Sequence, residues 1–202
     1  VVLISTRRLA GIQVINEGKQ VICLPGATLD RLEKELAQFN REPHSVIGSS
    51  CIGASVLGGV CNNSGGALVR RGPAYTELAL YARVNDAGEL ELVNHLGVNL
   101  GSSPEEILSR LENKNYQAAD IENNSGCCAS DQRYSHDVKQ VDENTPARFN
   151  ADPSRLYEAS GSAGKVCVFA VRLDTFEKIP SQVFYVGTNS HDDLTEIRRF
   201  LL

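Results

Sequence analysis

The sequence contains no methionine and no tryptophan, and it lacks any long hydrophobic run. Its longest apolar run has six residues, 166–171 (VCVFAV), whereas a membrane-spanning helix needs about 20. Basic charge is not in excess either, because 25 acidic residues outnumber 20 basic ones. The net charge of −5 argues against a nucleic-acid-binding protein and gives no basic face for an anionic lipid surface. A chain without Met that opens on Val-Val-Leu-Ile is expected to be an excerpt from a longer protein.

Zinc and iron–sulfur sites have little support, because none of the six cysteines belongs to a C-x-x-C pair. Cys23 and Cys167 lie inside apolar runs and are expected to be small core residues. Cys127 and Cys128 are adjacent in a polar stretch, where a bridge between them would be strained. We therefore predict reduced cysteines, as in a cytosolic protein, and no metal site.

Hydrophobic periodicity predicts hairpins mixed with helices, without regular βαβ alternation, which is typical of the α+β class. A length of 202 residues fits one domain, or one domain and the start of another. Predicted helices begin at the capping residues Thr28 and Ser103, and two more cover 153–160 and 192–202. Residues 113–150 are predicted to be a polar surface excursion. The predicted strands are 1–5, two within 12–25, two within 76–94, 166–173 and 183–187.

A glycine-rich segment, 43–73, interrupts this pattern with seven glycines and five serines. It has neither the Lys-Ser/Thr pair of a Walker-A loop nor a G-x-G-x-x-G dinucleotide fingerprint. Its short polar groups are Ser49, Ser50, Ser55, Asn62, Asn63 and Ser64. Glycines let a backbone approach a ligand closely, and free amide groups in such a loop favour phosphate. The residues themselves leave two interpretations open: a cofactor or nucleotide loop, or close packing of backbone segments.

Several long strings resemble the flavin-binding part of the respiratory, quinone-dependent D-lactate dehydrogenases. They are IGSSCIGASVLGGVCNNSGG at 47–66 with RGPAY at 71–75, TPARFNADPSRLYEASGSAGK at 145–165, VFAVRLDTFE at 168–177 and LTEIRRFLL at 194–202. These enzymes have an FAD-binding domain of the vanillyl-alcohol-oxidase or p-cresol-methylhydroxylase (PCMH) type. The resemblance implies that fold, a mostly antiparallel sheet flanked by helices, for residues 1–175. It also implies that the N-terminal subdomain is missing from this chain and that 176–202 begin the substrate-covering cap domain.

The resemblance also implies a cofactor, FAD, and residues that hold it. By motif position these are Gly48, Ser49, Ser55, Gly58, Gly59, Gly65 and Val168, the last through its backbone near the adenine side. No catalytic residue is assigned, because the family's substrate-binding residues come from parts outside this chain. Of the four histidines, only His44 is expected near the site, where a structural role is favoured over that of a general base.

The implied reaction is the oxidation of D-lactate to pyruvate, with electrons passed to membrane ubiquinone or menaquinone. The implied location is the cytoplasmic face of the bacterial inner membrane, with peripheral attachment through regions outside this chain. Two alternatives stay open at this point. One is a related FAD-dependent dehydrogenase or oxidase acting on another 2-hydroxy acid. The other is a non-catalytic domain in which the glycines only fit strands together.

Overall fold

The computed structural model describes residues 4–45, 53–65, 68–123, 125–140, 142–144, 153 and 156–202. Within them a five-stranded antiparallel sheet has the order β1-β2-β6-β4-β5. Its strands are β1 (Ile12–Ile15), β2 (Gln20–Cys23), β4 (Ala79–Val84), β5 (Leu90–Asn94) and β6 (Cys167–Asp174). Two short strands, β3 (Arg41–Glu42) and β7 (Phe176–Glu177), pair antiparallel beside it. The described helices are α1 (Leu29–Ala37), α2 (Val56–Cys61), α3 (Pro104–Glu112), α4 (Tyr134–Asp137) and α5 (His191–Leu201).

Strand alternation divides the core between the two faces of the sheet. Val21 and Cys23 point to one face, where they join a buried cluster with α1 and α2. Ile22, between them, points to the other face and joins a second cluster with α3. Because successive side chains of a strand face opposite ways, a sheet in the middle of a domain needs a helical cover on both sides. The α+β class and the mostly antiparallel sheet flanked by helices are therefore confirmed.

The predicted helix starts depend on capping side chains that the structure places as expected. The Thr28 hydroxyl accepts a hydrogen bond from the Arg31 amide, and α1 buries Leu29, Leu32 and Leu36. The Ser103 hydroxyl accepts from the Glu106 amide, with Pro104 in the first turn of α3. Such caps satisfy amide groups that have no partner inside the helix.

Two predicted elements are wrong, and a third lies mostly outside the described residues. Residues 183–187 form no strand: Val183, Phe184, Tyr185 and Val186 are 62–101% exposed, and the described chain places no strand beside them to complete a hydrogen-bond ladder. The predicted helix at 153–160 is a tight turn where it is described, closed by an antiparallel bridge between Tyr157 and Ser160. In the predicted strand 1–5, only Ile4 and Ser5 are described, and they are exposed and irregular.

A buried arginine on β6 ties the sheet to the loops at its side. Arg172 is 1% exposed. Its guanidinium donates to the Gln20 side chain on β2 at 2.5 and 2.9 Å and to the backbone oxygens of Gly97 at 3.1 Å and Glu122 at 2.8 Å. A further bond reaches the Asn123 side chain at 3.0 Å. Burial lowers the pKa of Arg172, but an arginine keeps its charge, so these acceptors must stay in place.

Gly97 makes this arrangement possible. Its φ is +69°, and a Cβ added there would lie 2.9 Å from Arg172 Nη1. Only glycine combines this left-handed backbone with such a close approach to the guanidinium. The contact with Arg172 therefore determines the backbone conformation of the loop after β5 at Gly97.

We expect Arg172→Met to destabilise the full-length protein by about 3 kcal/mol, because it leaves several buried acceptors without a donor. The free energy of unfolding from urea titration measures this loss. Arg83→Met is the matched control, since Arg83 pairs with Glu91 at 3.0 Å on the exposed part of the β4–β5 hairpin. The control is expected to unfold like the wild type. Equal midpoints for both variants would contradict the role given to Arg172.

Candidate functional site

The start of α2 is fixed to the start of α1 by backbone hydrogen bonds. The Leu29 amide donates to Ala54 O at 3.0 Å, and the Val56 amide donates to Ala27 O at 2.9 Å. These bonds form an antiparallel bridge between Thr28 and Ser55, the capping residues of the two helices. The glycine-rich segment is thus anchored in the core where it becomes helical.

The end of α2 is held by the chain that precedes β6. The Gly161 amide donates to Val60 O and the Ala163 amide donates to Cys61 O, both at 3.0 Å. These bonds satisfy carbonyls that a helix C-terminus leaves without an internal partner. Residues 161–163, which belong to one of the strings that carry the family resemblance, therefore hold the C-terminal end of α2.

The structure brings together those predicted cofactor residues that it describes. Ser55, Gly58 and Gly59 lie at the start of α2 or within it, and Gly65 follows its last residue by four positions. Val168, on β6 opposite Tyr81, is partly buried and packs against the core cluster that contains Val56 and Val60. It therefore lies on the α2 side of the sheet. Gly48 and Ser49 lie outside the described residues. The cofactor roles of all seven stay predictions.

Val168 also lies where β6 has a free side. The register pairs β6 with β2 only over Val171–Asp174, while β4 pairs with Cys167–Val171 and has a bulge between Leu80 and Tyr81. Residues 167–170 thus have one strand neighbour among the described residues. A backbone position of this kind can offer hydrogen bonds to a ligand, which is what the resemblance implies for Val168.

The glycines of the segment face different surroundings. A Cβ at Gly59 would lie 3.5 Å from Ala74 Cβ and 3.9 Å from His44 Nε2, so this glycine faces the protein interior. A Cβ at Gly65 meets nothing within 4 Å. A Cβ at position 59 would thus be in ordinary van der Waals contact with the protein, whereas a Cβ at position 65 would have no protein neighbour. The open face of Gly65 leaves room for a ligand.

Ser55 already has a structural task. Its hydroxyl accepts a hydrogen bond from the Gly58 amide at 3.1 Å and so caps α2. A Cβ at Gly58 would approach this hydroxyl to 2.7 Å, so the small residue at 58 protects the cap. A Ser hydroxyl still has a proton to donate, so capping and ligand binding are compatible.

His44 is buried against the same segment and carries no charge near neutral pH. Burial, with a smaller contribution from the Arg71 guanidinium, lowers the pKa of His44 from 6.5 to about 4. Arg71 is held in place by Glu42 at 2.5 Å and by Pro43 O at 2.8 Å. His44 is therefore near the candidate site, as expected, in the neutral form of a packed core histidine.

Asn63 is a residue to which the sequence assigned no role. It is 5% exposed, and neither polar atom of its side chain has a hydrogen-bond partner. The sequence signal was only that it is one of several short polar groups beside the glycines. Nothing in the pattern NNSGG distinguishes a buried asparagine from an exposed one.

A second cluster of titratable groups lies on the β4–β5 side. His95 Nδ1 is 2.5 Å from Glu158 Oε1, and the His95 ring meets the Tyr81 ring edge-on with centroids 6.4 Å apart. Burial, with Glu158 adding to the effect, raises the pKa of Tyr81 to about 12. Within the described part of the chain, no three His, Cys, Asp or Glu side chains are grouped so that they could hold a metal ion.

Three curated proteins are similar to this chain over its whole length. They are quinone-dependent D-lactate dehydrogenases from Haemophilus influenzae, Escherichia coli and Corynebacterium glutamicum, at 64%, 59% and 48% identity. The chain covers 36%, 35% and 35% of their lengths, so it spans about a third of the relatives that it matches. No model of a known protein family matches it. The resemblance based on the sequence motifs is thereby confirmed.

Helices that cross a bilayer are long and apolar, and we find none of that kind in the ranges that the structure describes.

The low pKa of His44 predicts a pH dependence of stability. Between pH 6.5 and 4 the unfolded chain binds a proton at His44 and the folded chain does not. The free energy of unfolding should therefore fall as the pH drops through this window, by at most about 3 kcal/mol for this group. Urea unfolding of the full-length protein at several pH values measures the slope, which His44→Gln should reduce. His136→Gln, at an exposed position, should leave the slope unchanged. The same slope in wild type and His44→Gln would contradict the prediction.

Proposed function

We propose that this chain is the FAD-binding part of a quinone-dependent D-lactate dehydrogenase, which oxidises D-lactate to pyruvate and passes the electrons to a membrane quinone. The observation that carries the proposal is the identity of 48–64% along the entire chain to three proteins of that name. Identity at this level, without a region of the chain left unmatched, supports the same role for this segment in a longer protein.

FAD is the proposed cofactor, and the described residues fit it in three respects. Gly65 presents an open face, residues 167–170 of β6 have a free side, and the buried Asn63 side chain has no partner. Ser55, Gly58, Gly59, Gly65 and Val168 would hold the cofactor, together with Gly48 and Ser49 from the undescribed part of the segment. Bound FAD supplies the two-electron chemistry, for which the protein provides position and electrostatics. Gly59 would contribute through its backbone, since its Cα face lies against Ala74 and His44.

We further propose that residues 1–175 belong to a domain of the PCMH type and that 176–202 begin the cap domain. The five-stranded sheet ends with β6 at Asp174 and the β3–β7 pair ends at Glu177, which supports a boundary close to residue 175. Beyond it, Val183–Val186 expose their apolar side chains, and α5 buries none of its residues. Large apolar side chains left bare in this way are typical of an interface. The proposed occupant is the rest of the full-length protein, since the relatives are about three times as long as this chain.

Peripheral attachment to the cytoplasmic face of the bacterial inner membrane, through regions outside this chain, completes the proposal. The net charge of −5 is in keeping with it, because an acidic segment would not itself bind an anionic membrane surface. The proposed partners are thus D-lactate, ubiquinone or menaquinone, and the membrane, and not nucleic acid.

Assay of the purified full-length protein tests the function. We expect one FAD per chain, reduction of the bound flavin by D-lactate, and turnover with a soluble ubiquinone analogue that exceeds turnover with oxygen. L-lactate, glycolate and D-2-hydroxybutyrate serve as rival substrates. Faster turnover of another 2-hydroxy acid than of D-lactate, or faster turnover with oxygen than with the quinone, would favour a related enzyme of the same fold. Absence of flavin from the purified protein would reject the proposal.

The contrast between Gly65 and Gly59 gives a sharper test of the cofactor site. A Cβ at position 65 meets no protein atom within 4 Å, and the backbone there is not left-handed, so we expect the Gly65→Leu apoprotein to melt like the wild type while FAD affinity falls about tenfold to a hundredfold. Gly59→Val should instead lower the melting temperature of the apoprotein, because it overpacks against Ala74 and His44. Melting curves of the apoprotein and FAD titration separate the two effects.

Gly53→Leu is the matched control for Gly65→Leu. A Cβ at Gly53 also meets nothing within 4 Å, and Gly53 is exposed in the same segment, but the resemblance does not assign it to the cofactor. The control should bind FAD like the wild type. If Gly65→Leu also binds FAD normally, position 65 does not contact the cofactor.

A further inference from the structure

Asn63 occupies an unusual position directly after α2. Its amide donates to Val60 O at 3.1 Å, and its φ of +47° lies in the left-handed region. Asparagine is among the few residues other than glycine that tolerate this conformation. The backbone here turns sharply, so the side chain is directed into the protein and only 5% of the residue remains exposed.

The side chain of Asn63 is buried without any hydrogen bond. Both Oδ1 and Nδ2 lack a partner. Its neighbour Asn62 is exposed, yet its Nδ2 donates to Gly58 O at 3.0 Å. The exposed Asn62 side chain is thus paired and the buried Asn63 side chain is not. Desolvation favours the reverse, because an unpaired buried amide is costly and an unpaired exposed amide is solvated by water.

A glycine lies against the unpaired Asn63 side chain. This residue is Gly161, and a Cβ there would come within 2.5 Å of Asn63 Nδ2. Gly161 also has a φ of +71° and donates its amide to Val60 O at 3.0 Å. The same turn that closes α2 therefore holds the carboxamide in place. Buried polar groups in native proteins are nearly always paired, so this carboxamide has an acceptor and donors to offer a ligand.

We propose that Asn63 is a further cofactor-binding residue, whose carboxamide pairs with a ring edge of FAD that carries a donor beside an acceptor. The inference rests on the proposed function, in which the same segment holds FAD. A carboxamide offers an acceptor oxygen and a donor nitrogen side by side. The pyrophosphate has acceptors only, so it would satisfy Nδ2 and leave Oδ1 unpaired. Two rings of FAD have edges that satisfy both atoms: N3–H beside a carbonyl in the isoalloxazine, and the amino group beside N1 or N7 in the adenine.

The test uses the full-length protein, stripped of flavin and then titrated with FAD. Asn63→Gly retains the left-handed backbone and removes both unpaired atoms. We expect it to bind FAD about tenfold or more weakly, because two hydrogen bonds are lost. Its apoprotein should melt no lower than the wild type, since the unpaired buried amide is gone. Asn62→Ala is the matched control and should bind FAD with unchanged affinity.

Two FAD analogues identify the ring edge, one methylated at N3 of the isoalloxazine and one dimethylated at the adenine amino group. In the wild type, the analogue that blocks the contacted edge should bind more weakly than FAD. In Asn63→Gly, the same analogue and FAD should bind with equal affinity. If neither analogue shows this pattern, the pairing with a ring edge is wrong.

Two further outcomes overturn the inference in distinguishable ways. Wild-type affinity in Asn63→Gly, or a loss of affinity that merely follows a lower melting temperature of the apoprotein, means that Asn63 does not contact the cofactor, while the proposed function stands. Failure of the wild type itself to bind FAD overturns the proposed function and the inference with it.

Discussion

The fold depends on the need to satisfy one buried cation. The guanidinium of Arg172 has almost no access to water, so each of its donors must find an acceptor within the protein. The acceptors come from β2, from the loop after β5 and from residues 122–123, which are distant in sequence. The hydrogen bonds of Arg172 therefore hold these separate parts of the chain in one arrangement. It fixes the sheet on which α2 lies, and with it the position of the candidate cofactor segment.

Much of the sheet and its helices could be predicted, because the signals are local. The alternation of Val21, Ile22 and Cys23 and the caps at Thr28 and Ser103 depend on neighbouring residues only. The predicted strand at 183–187 is wrong although the segment is rich in apolar residues, because a strand also needs a neighbouring strand to complete its hydrogen bonds. The short helix α2 could not be anticipated either, since two of its six residues are glycines and its ends are held by hydrogen bonds to residues 27 and 161–163.

The candidate site was predictable as a segment but not residue by residue. Composition singled out the glycines, and family resemblance assigned them to a cofactor. Sequence cannot tell which way a glycine faces: Gly59 is turned inward and Gly65 outward, in the same run of small residues. The burial of Asn63 could not be predicted from the sequence for a related reason. Its burial depends on a left-handed backbone and on space left by Gly161, nearly 100 residues further along the chain.

The bare side chains of Val183, Phe184, Tyr185 and Val186 have a consequence for how such a protein is made and handled. Residues 182–188 (QVFYVGT) combine high strand propensity with no charge and no proline, which is the composition of segments that stack into intermolecular sheets. As long as no intramolecular neighbour covers it, this stretch favours self-association between copies. A shortened chain that ends at Lys178 would keep the β3–β7 pairing and lose the segment most prone to aggregate.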